Sequence, residues 1–292
     1  MYNPTMSSSK ETVSLLDSGG KNLELLFVTD VMGLKSLHYG YWDQIHEITL
    51  GNVKKAQERY TETLVDMIPS SVKDVLDVGC GIGDNAEAIA KNGCKVTAIS
   101  PDANHKKYFD EFQDPNITYV RTTLENFQPE NFQTDQKFDL MLFSESQTYF
   151  DPEISFKKSQ TLLNSNGYIL LSDMFTKRKD SHSRIDFTEE DYLAHAQKYG
   201  FKVIESVDIT KHILPTIALV DSLYSAYLNP VIKVANDYLR NTAPIKYFIV
   251  KLFFKPQINN LKKIKEHFDR RFDPGFFENE VTYKRLLLQK AS

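Results

Sequence analysis

Cysteine is nearly absent: Cys80 and Cys94 are the only two in 292 residues. That excludes a disulfide framework and a cysteine-based metal cluster, and no metal is expected. It fits a reducing cytoplasm. Positive charge is not in excess either. The net charge is −4 and the pI about 6.0, where a general nucleic-acid binder would be basic. No stretch approaches the ~20 consecutive apolar residues of a spanning helix. Residues 1–20 are rich in Ser, Thr and Gly, lack the apolar centre of a signal peptide, and are expected to be a mobile tail. The apolar fraction of 41% and charged fraction of 25% are those of an ordinary globular protein, large enough for one domain with an insertion.

Glycine is also scarce, 12 in all, yet three stand at spacing two as Gly79, Gly81 and Gly83. They follow the short apolar run Val75, Leu76, Val78, which reads as a buried parallel strand. Asp84 to Lys91 then reads as a helix with Ala86, Ile89 and Ala90 inward, closed by Asn92-Gly93. Strand, glycine turn and helix make a nucleotide site at the edge of a parallel sheet. A dinucleotide fingerprint would need a glycine at 84, which is Asp84.

The run Asp77-x-Gly79-x-Gly81-x-Gly83, with Cys80 within it, resembles the first motif of the Rossmann-like S-adenosylmethionine (SAM) methyltransferases. The resemblance implies an α/β fold, a doubly wound, mostly parallel seven-stranded sheet; this chain adds N-terminal helices and, outside the resemblance, a helical insertion before the last strand. It implies SAM as cofactor, with Asp77, Gly79, Cys80, Gly81 and Gly83 around the methionine part and ribose. The segment Leu37-His38-Tyr39-Gly40-Tyr41-Trp42-Asp43 is similar to one that closes over the cofactor in small-molecule methyltransferases of the tocopherol and cyclopropane-fatty-acid type. By that likeness Tyr39 and Trp42 touch SAM.

Apolar spacing places helices over 22–33 and 52–68, and Ser100-Pro101-Asp102 reads as the start of a helix to about Phe112. Strands are expected at Lys95–Ile99, Ile117–Val120, Phe138–Phe143, Tyr168–Ser172, Phe201–Asp208 and Val281–Gln289. Thr188 with Asp191 is close to a capping box. The family places an acidic residue after the second strand for the ribose hydroxyls. Here Ser100 stands there, with Asp102 a turn later. The loop Thr123-Leu124-Glu125 corresponds to the adenine loop and matches its usual triplet only at Glu125. After the fourth strand, Ser144 would lie by the methionine moiety, while Glu145 and Tyr149 would face the substrate.

Residues 210–279 interrupt this plan as an aromatic-rich helical insertion, expected to cap the site or to form a homodimer interface. Residues 21–209 and 280–292 form the SAM-binding domain with its N-terminal lid helices. Within 245–273 eight basic residues face three acids, a local +5, which suits a solvated face, an acidic substrate group or an anionic membrane surface.

Methyl transfer from a sulfonium is an in-line displacement in which the protein aligns the nucleophile and excludes water. A base is needed when the nucleophile carries a proton. Glu145, His38, His182 and His212 are the candidates, with Tyr149 beside them. The function so read is methylation of a small, partly hydrophobic molecule at O, N or C. A lipid or isoprenoid C-methylating or cyclopropane-forming enzyme is the near alternative. From other classes, a nicotinamide-dependent oxidoreductase and a non-catalytic SAM-binding protein remain. No Asn-Pro-Pro-Tyr or Asp-Pro-Pro-Tyr target-base motif occurs, so no nucleic-acid partner is expected.

Overall fold

The computed structural model describes residues 17–18, 21–22, 25, 27–132, 137–179, 187–253 and 272–291. The apolar run at 75–78 forms the centre of the molecule. Strand β1 (Asp74–Val78) is buried on both faces, as a strand covered by helices on either side must be. It pairs in parallel with β2 (Lys95–Ile99) on one side and with β4 (Phe138–Ser144) on the other. Strand β3 (Ile117–Val120) extends the sheet beyond β2. On the other flank come β5 (Leu163–Thr176), β6 (Phe201–Asp208) and β7 (Val281–Lys290). The spatial order is β3-β2-β1-β4-β5-β7-β6; in this sheet β7 runs antiparallel to β5 and β6, and the other pairings are parallel.

The period of two along the strands builds two cores. Val75, Leu140, Leu142 and Leu170 face one side with Tyr60 and Ile89. Leu76, Val78, Met141 and Phe143 face the other with Phe156 and Tyr192. Each of these side chains is fully or almost fully buried, and each contributes roughly 1.5–3 kcal/mol by leaving water.

Helix α1 (Val53–Val65) covers the first face because Val53, Ala56, Tyr60, Leu64 recur at three- and four-residue steps, and all four are buried. Helix α2 (Asp84–Lys91) has the bounds read from sequence. Helix α3 (Lys106–Phe109) is a single turn, where the sequence suggested a helix starting at Ser100-Pro101-Asp102 and running to about Phe112. Asp102 Oδ1 accepts both the N–H (2.8 Å) and the side-chain amide (2.7 Å) of Asn104, a local bond that competes with helix formation. Helix α4 is Pro152–Leu162, and α5 (Glu189–Lys198) starts with a complete capping box between Thr188 and Asp191. Over 22–33 the described backbone includes a π-helical turn, Phe27–Val31.

Strand β5 is longer than the five residues expected. It runs through Asn166 at φ 63° and on to Thr176, because β7 pairs with it as far as Val281. The insertion contains α6 (Thr210–Leu223), a π-helical turn Tyr224–Leu228, α7 (Asn229–Thr242) and α8 (Pro244–Phe253). Helix α9 (Pro274–Glu280) leads into β7. Residues 254–271 of the expected helical insertion lie outside the described residues. So do most of the basic residues of 245–273 and His182.

Candidate active site

The parallel strands β1 to β4 all end on one edge, so the loops after Val78, Ile99, Val120 and Ser144 are neighbours there. Gly79, Gly81 and Gly83 all adopt left-handed φ, at 75°, 54° and 92°, which favours glycine. Their free space differs. A Cβ on Gly79 would lie 2.5 Å from Ser146 Cβ, and one on Gly83 would lie 2.6 Å from the Phe112 ring. The protein's own atoms fill both spaces, so these two glycines serve close packing. A Cβ on Gly81 would meet only Leu37 Cδ1, at 3.5 Å.

Two carboxylates flank this loop. Asp77 is almost fully buried, and its Oδ2 has no hydrogen-bond donor among the described residues. Burial, with the Asp84 charge near it, pushes the Asp77 carboxyl up to about 8. Asp84 Oδ2 lies 2.7 Å from His38 Nε2. Burial alone would raise the Asp84 carboxyl, but His38 holds it below the usual carboxylate range.

His38 is buried and stacked on Tyr60 at 4.1 Å. Its Nδ1 is 2.8 Å from the Tyr39 carbonyl oxygen, which can only accept. Its Nε2 is 3.0 Å from Thr61 Oγ1, whose own proton goes to Asn85 Oδ1. Both ring nitrogens therefore donate, which makes the ring an imidazolium. Burial pulls the His38 pKa down, but Asp84 and Glu145 more than offset that, and it lies above its ordinary value.

Glu145 stands at the end of β4 with φ 52°, a costly conformation for a residue with a side chain. Its Oε1 accepts the Tyr39 N–H at 2.9 Å and the Tyr283 hydroxyl at 2.8 Å. Behind it lies a buried polar network. The Tyr60 hydroxyl is 2.8 Å from Tyr283 Oη, 2.7 Å from Ser172 Oγ and 3.2 Å from Ser144 Oγ. Arg285 Nη2 donates to the Tyr60 carbonyl oxygen at 2.9 Å, and its guanidinium lies 4.7 Å from the Tyr60 ring centroid. Asp173, also buried, accepts the N–H groups of Gln147 and Met174. Burial raises its carboxyl to about 7.

The sequence-derived residues thus fall into groups. Asp77, Gly81, His38, Tyr39, Ser144 and Glu145 are linked around the glycine loop and the end of β4. Ser100 Oγ is bonded to His105 Nδ1 at 2.9 Å, while Asp102 shares its neighbourhood, with Oδ2 3.6 Å from His105 Nε2. Cys80 is buried beside the loop, and burial raises its thiol well above the ordinary value. Leu124 is buried in the second core, Thr123 is half-buried and Glu125 is exposed.

Trp42 lies apart from the glycine loop's own contacts. It packs with Val53 and Ala56, and its indole N–H donates to Thr216 Oγ1 at 2.8 Å, joining the N-terminal segment to α6. Tyr149 is mostly exposed. His212 stacks on Tyr41 at 4.5 Å. Sequence reasoning missed Tyr60, Thr61, Asn85, Asp173, Tyr283 and Arg285. Polar residues in phase with an otherwise apolar helix or strand face, such as Thr61 on α1, were the only available signal.

The site suits SAM by its donor set. The methionine end of SAM carries an ammonium and a sulfonium, both cationic. The orphaned Asp77 oxygen and Asp84 flank the glycine loop, in which Gly81 alone of the three motif glycines leaves its space nearly open.

Comparison with known proteins agrees. The family model described as "Methyltransferase domain" matches residues 53–211, more than half of the chain. An O-methyltransferase of Pyrenophora dematioidea is 28% identical over 216 residues, covering 66% of this chain and 78% of that protein. Among solved structures, the geranyl diphosphate C-methyltransferase of Streptomyces coelicolor A3(2) superposes with a TM-score of 0.61 at 15% identity, covering 90% of this chain and 93% of the other. The cyclopropane synthase of Mycobacterium tuberculosis does so at 0.63 and 14%, covering 96% and 100%. These two likenesses concern the fold. On the extent of the family match, the chain belongs to the methyltransferase-domain family and is an enzyme that takes SAM as its cofactor.

Proposed function

We propose that the chain transfers the methyl group of SAM to a small, partly hydrophobic molecule by in-line displacement, with Glu145 as the residue facing the reacting group. One observation carries this reading. Glu145 is held at φ 52° at the carboxyl end of β4, pinned by Tyr39 N–H and Tyr283 Oη. A residue whose backbone is strained and whose side chain is fixed from two distant segments at a ligand-binding edge is a functional feature before it is a structural one.

The geometry also ranks the candidate bases. His38 already donates through both nitrogens and has no lone pair to offer a substrate proton. Its role is positioning, by tying the N-terminal loop to Asp84. Glu145 is a carboxylate in a partly buried place and is the better acceptor when the nucleophile is a hydroxyl or an ammonium. Asp77, Gly81 and Ser144 would hold the methionine part, and Asp102 with Ser100 the ribose. SAM supplies the activated methyl group. The protein supplies alignment and a water-poor setting.

A lipid or isoprenoid acceptor methylated at carbon is the second reading. The fold neighbours acting on geranyl diphosphate or making cyclopropanes favour it, as does the exposed apolar insertion described below. The test is release of S-adenosylhomocysteine from SAM against a panel of phenols, amines, quinones, prenyl diphosphates and fatty acyl lipids. With the accepted substrate, Glu145→Gln should lower kcat at least about a hundredfold, with the affinity for S-adenosylhomocysteine changed little. Undiminished turnover by Glu145→Gln would remove Glu145 from the chemistry.

A further inference from the structure

Helices α7 and α8 present an unusual face. Helix α7 has no buried residue. Val231, Val234 and Tyr238 recur at three- and four-residue steps, so they share one side of the helix. On α8, Ile245 and Phe248 stand three residues apart and Phe253 five beyond Phe248. All six are more than three-fifths exposed. An open groove beside Pro230, Val231 and Ala235 runs along α7. The two helices touch through their polar sides, where Tyr247 Oη donates to Asn236 Oδ1 at 2.9 Å. Apolar surface of this extent marks an interaction site.

Charge decides the occupant. From Asn229 to Phe253 the basic residues are Lys233, Arg240, Lys246 and Lys251, and the only acid is Asp237, which gives +3 on a chain that is −4 overall. A second copy docking here symmetrically would set +3 against +3. Covering by the chain's own residues 254–271 would bring further like charge. That stretch holds six Lys and Arg against Glu266 and Asp269, or +4. A surface that is apolar within and anionic outside complements both features. No helix among the described residues is long and apolar enough to cross a membrane, so the contact would lie in the interface plane, where apolar side chains enter the acyl boundary and basic ones meet headgroups.

We infer that the α7–α8 hairpin is a docking element for the surface of an anionic lipid bilayer. This inference is independent of the methyl-transfer reading. It concerns where the enzyme works, not what it does.

Sedimentation of the full chain with vesicles tests it. Phosphatidylcholine vesicles containing 30 mol% phosphatidylglycerol should carry down at least tenfold more protein than pure phosphatidylcholine at low salt, and 0.5 M NaCl should reduce but not abolish this. Val234→Asp with Phe248→Asp should lower the bound fraction at least tenfold. The same double variant should bind S-adenosylhomocysteine as the parent does, which shows that it is folded. Lys246→Gln with Arg240→Gln should weaken binding to anionic vesicles only. Absence of anionic-vesicle binding would overturn the inference, as would binding that the apolar double variant leaves intact. So would a dimer in solution that the double variant dissociates, which would assign the face to a second copy. Loss of S-adenosylhomocysteine binding in the parent would instead strike at the active-site reading alone.

Discussion

The carboxyl edge of the sheet and the α7–α8 hairpin are opposites. At the edge, polar groups are buried and held by one another: His38 with Asp84, Tyr60 with Tyr283, Glu145 with Tyr39. On the hairpin, apolar groups are exposed on helices that bury little of themselves. Low dielectric makes the first arrangement rigid and intolerant of loss. The second tolerates change within the chain and becomes meaningful only against something outside it. Changes at the edge should therefore cost stability and chemistry together, and changes on the hairpin should cost neither.

The sharpest way to break this contrast is at Gly79. Gly79→Val puts a branched side chain at φ 75° against Ser146. Left-handed strain and overpacking together should destabilise by about 4 kcal/mol, and calorimetry should find no S-adenosylhomocysteine binding. A melt unchanged from the parent would show that the loop gives way more easily than its contacts suggest. His38→Ala removes one partner of a buried pair and should cost about 3 kcal/mol in chemical denaturation. If it costs nothing, the imidazolium assignment fails. Tyr283→Phe takes one hydroxyl from Glu145 and Tyr60 and should cost about 1–2 kcal/mol. It should also move the pH profile of kcat, because the carboxylate loses a donor.

Titration sharpens the same comparison. Asp77 has a folded-state pKa near 8, above its unfolded value, so folding retains a proton that the unfolded chain gives up. The His38 pKa is raised as well, and that group also binds its proton more tightly when folded. Both contributions are intact below the unfolded pKa and are lost as pH rises through the folded one. Between about pH 5 and 8, Asp77 should lower stability by up to about 1.4 kcal/mol per pH unit, or roughly 2–4 °C in Tm. Asp77→Asn should flatten that slope in thermal melts across the range. A slope of equal steepness in the variant would place the titration elsewhere. The smallest effect belongs to the hairpin: Val234→Ser should shift stability by less than about 0.5 kcal/mol.

Much of the frame was legible locally. The apolar run and glycines of 74–83 and the helix of 84–91 are patterns within a dozen residues and stand where those patterns placed them, while the strand beginning at Val281 stands where the family resemblance placed it. Two boundaries moved because side chains or partners intervened. Asp102 turned toward Asn104 and shortened α3, and β7 drew β5 out to Thr176. The linkages of the site were not legible. Tyr60 meets Tyr283 across 223 residues of sequence and Tyr39 meets Glu145 across 106, and no local pattern records such pairs. Trp42, which the resemblance sets against SAM, donates to Thr216 on α6 across 174 residues of sequence, a further link of this kind.

Strand β7 is made last yet sits between β5 and β6, and it carries Tyr283 into the site. On the ribosome, then, β1 to β4 and their loops emerge long before the hydroxyl that holds Glu145. Closure of the sheet therefore waits on the latest-made of its seven strands, which joins two earlier ribbons that do not pair with each other.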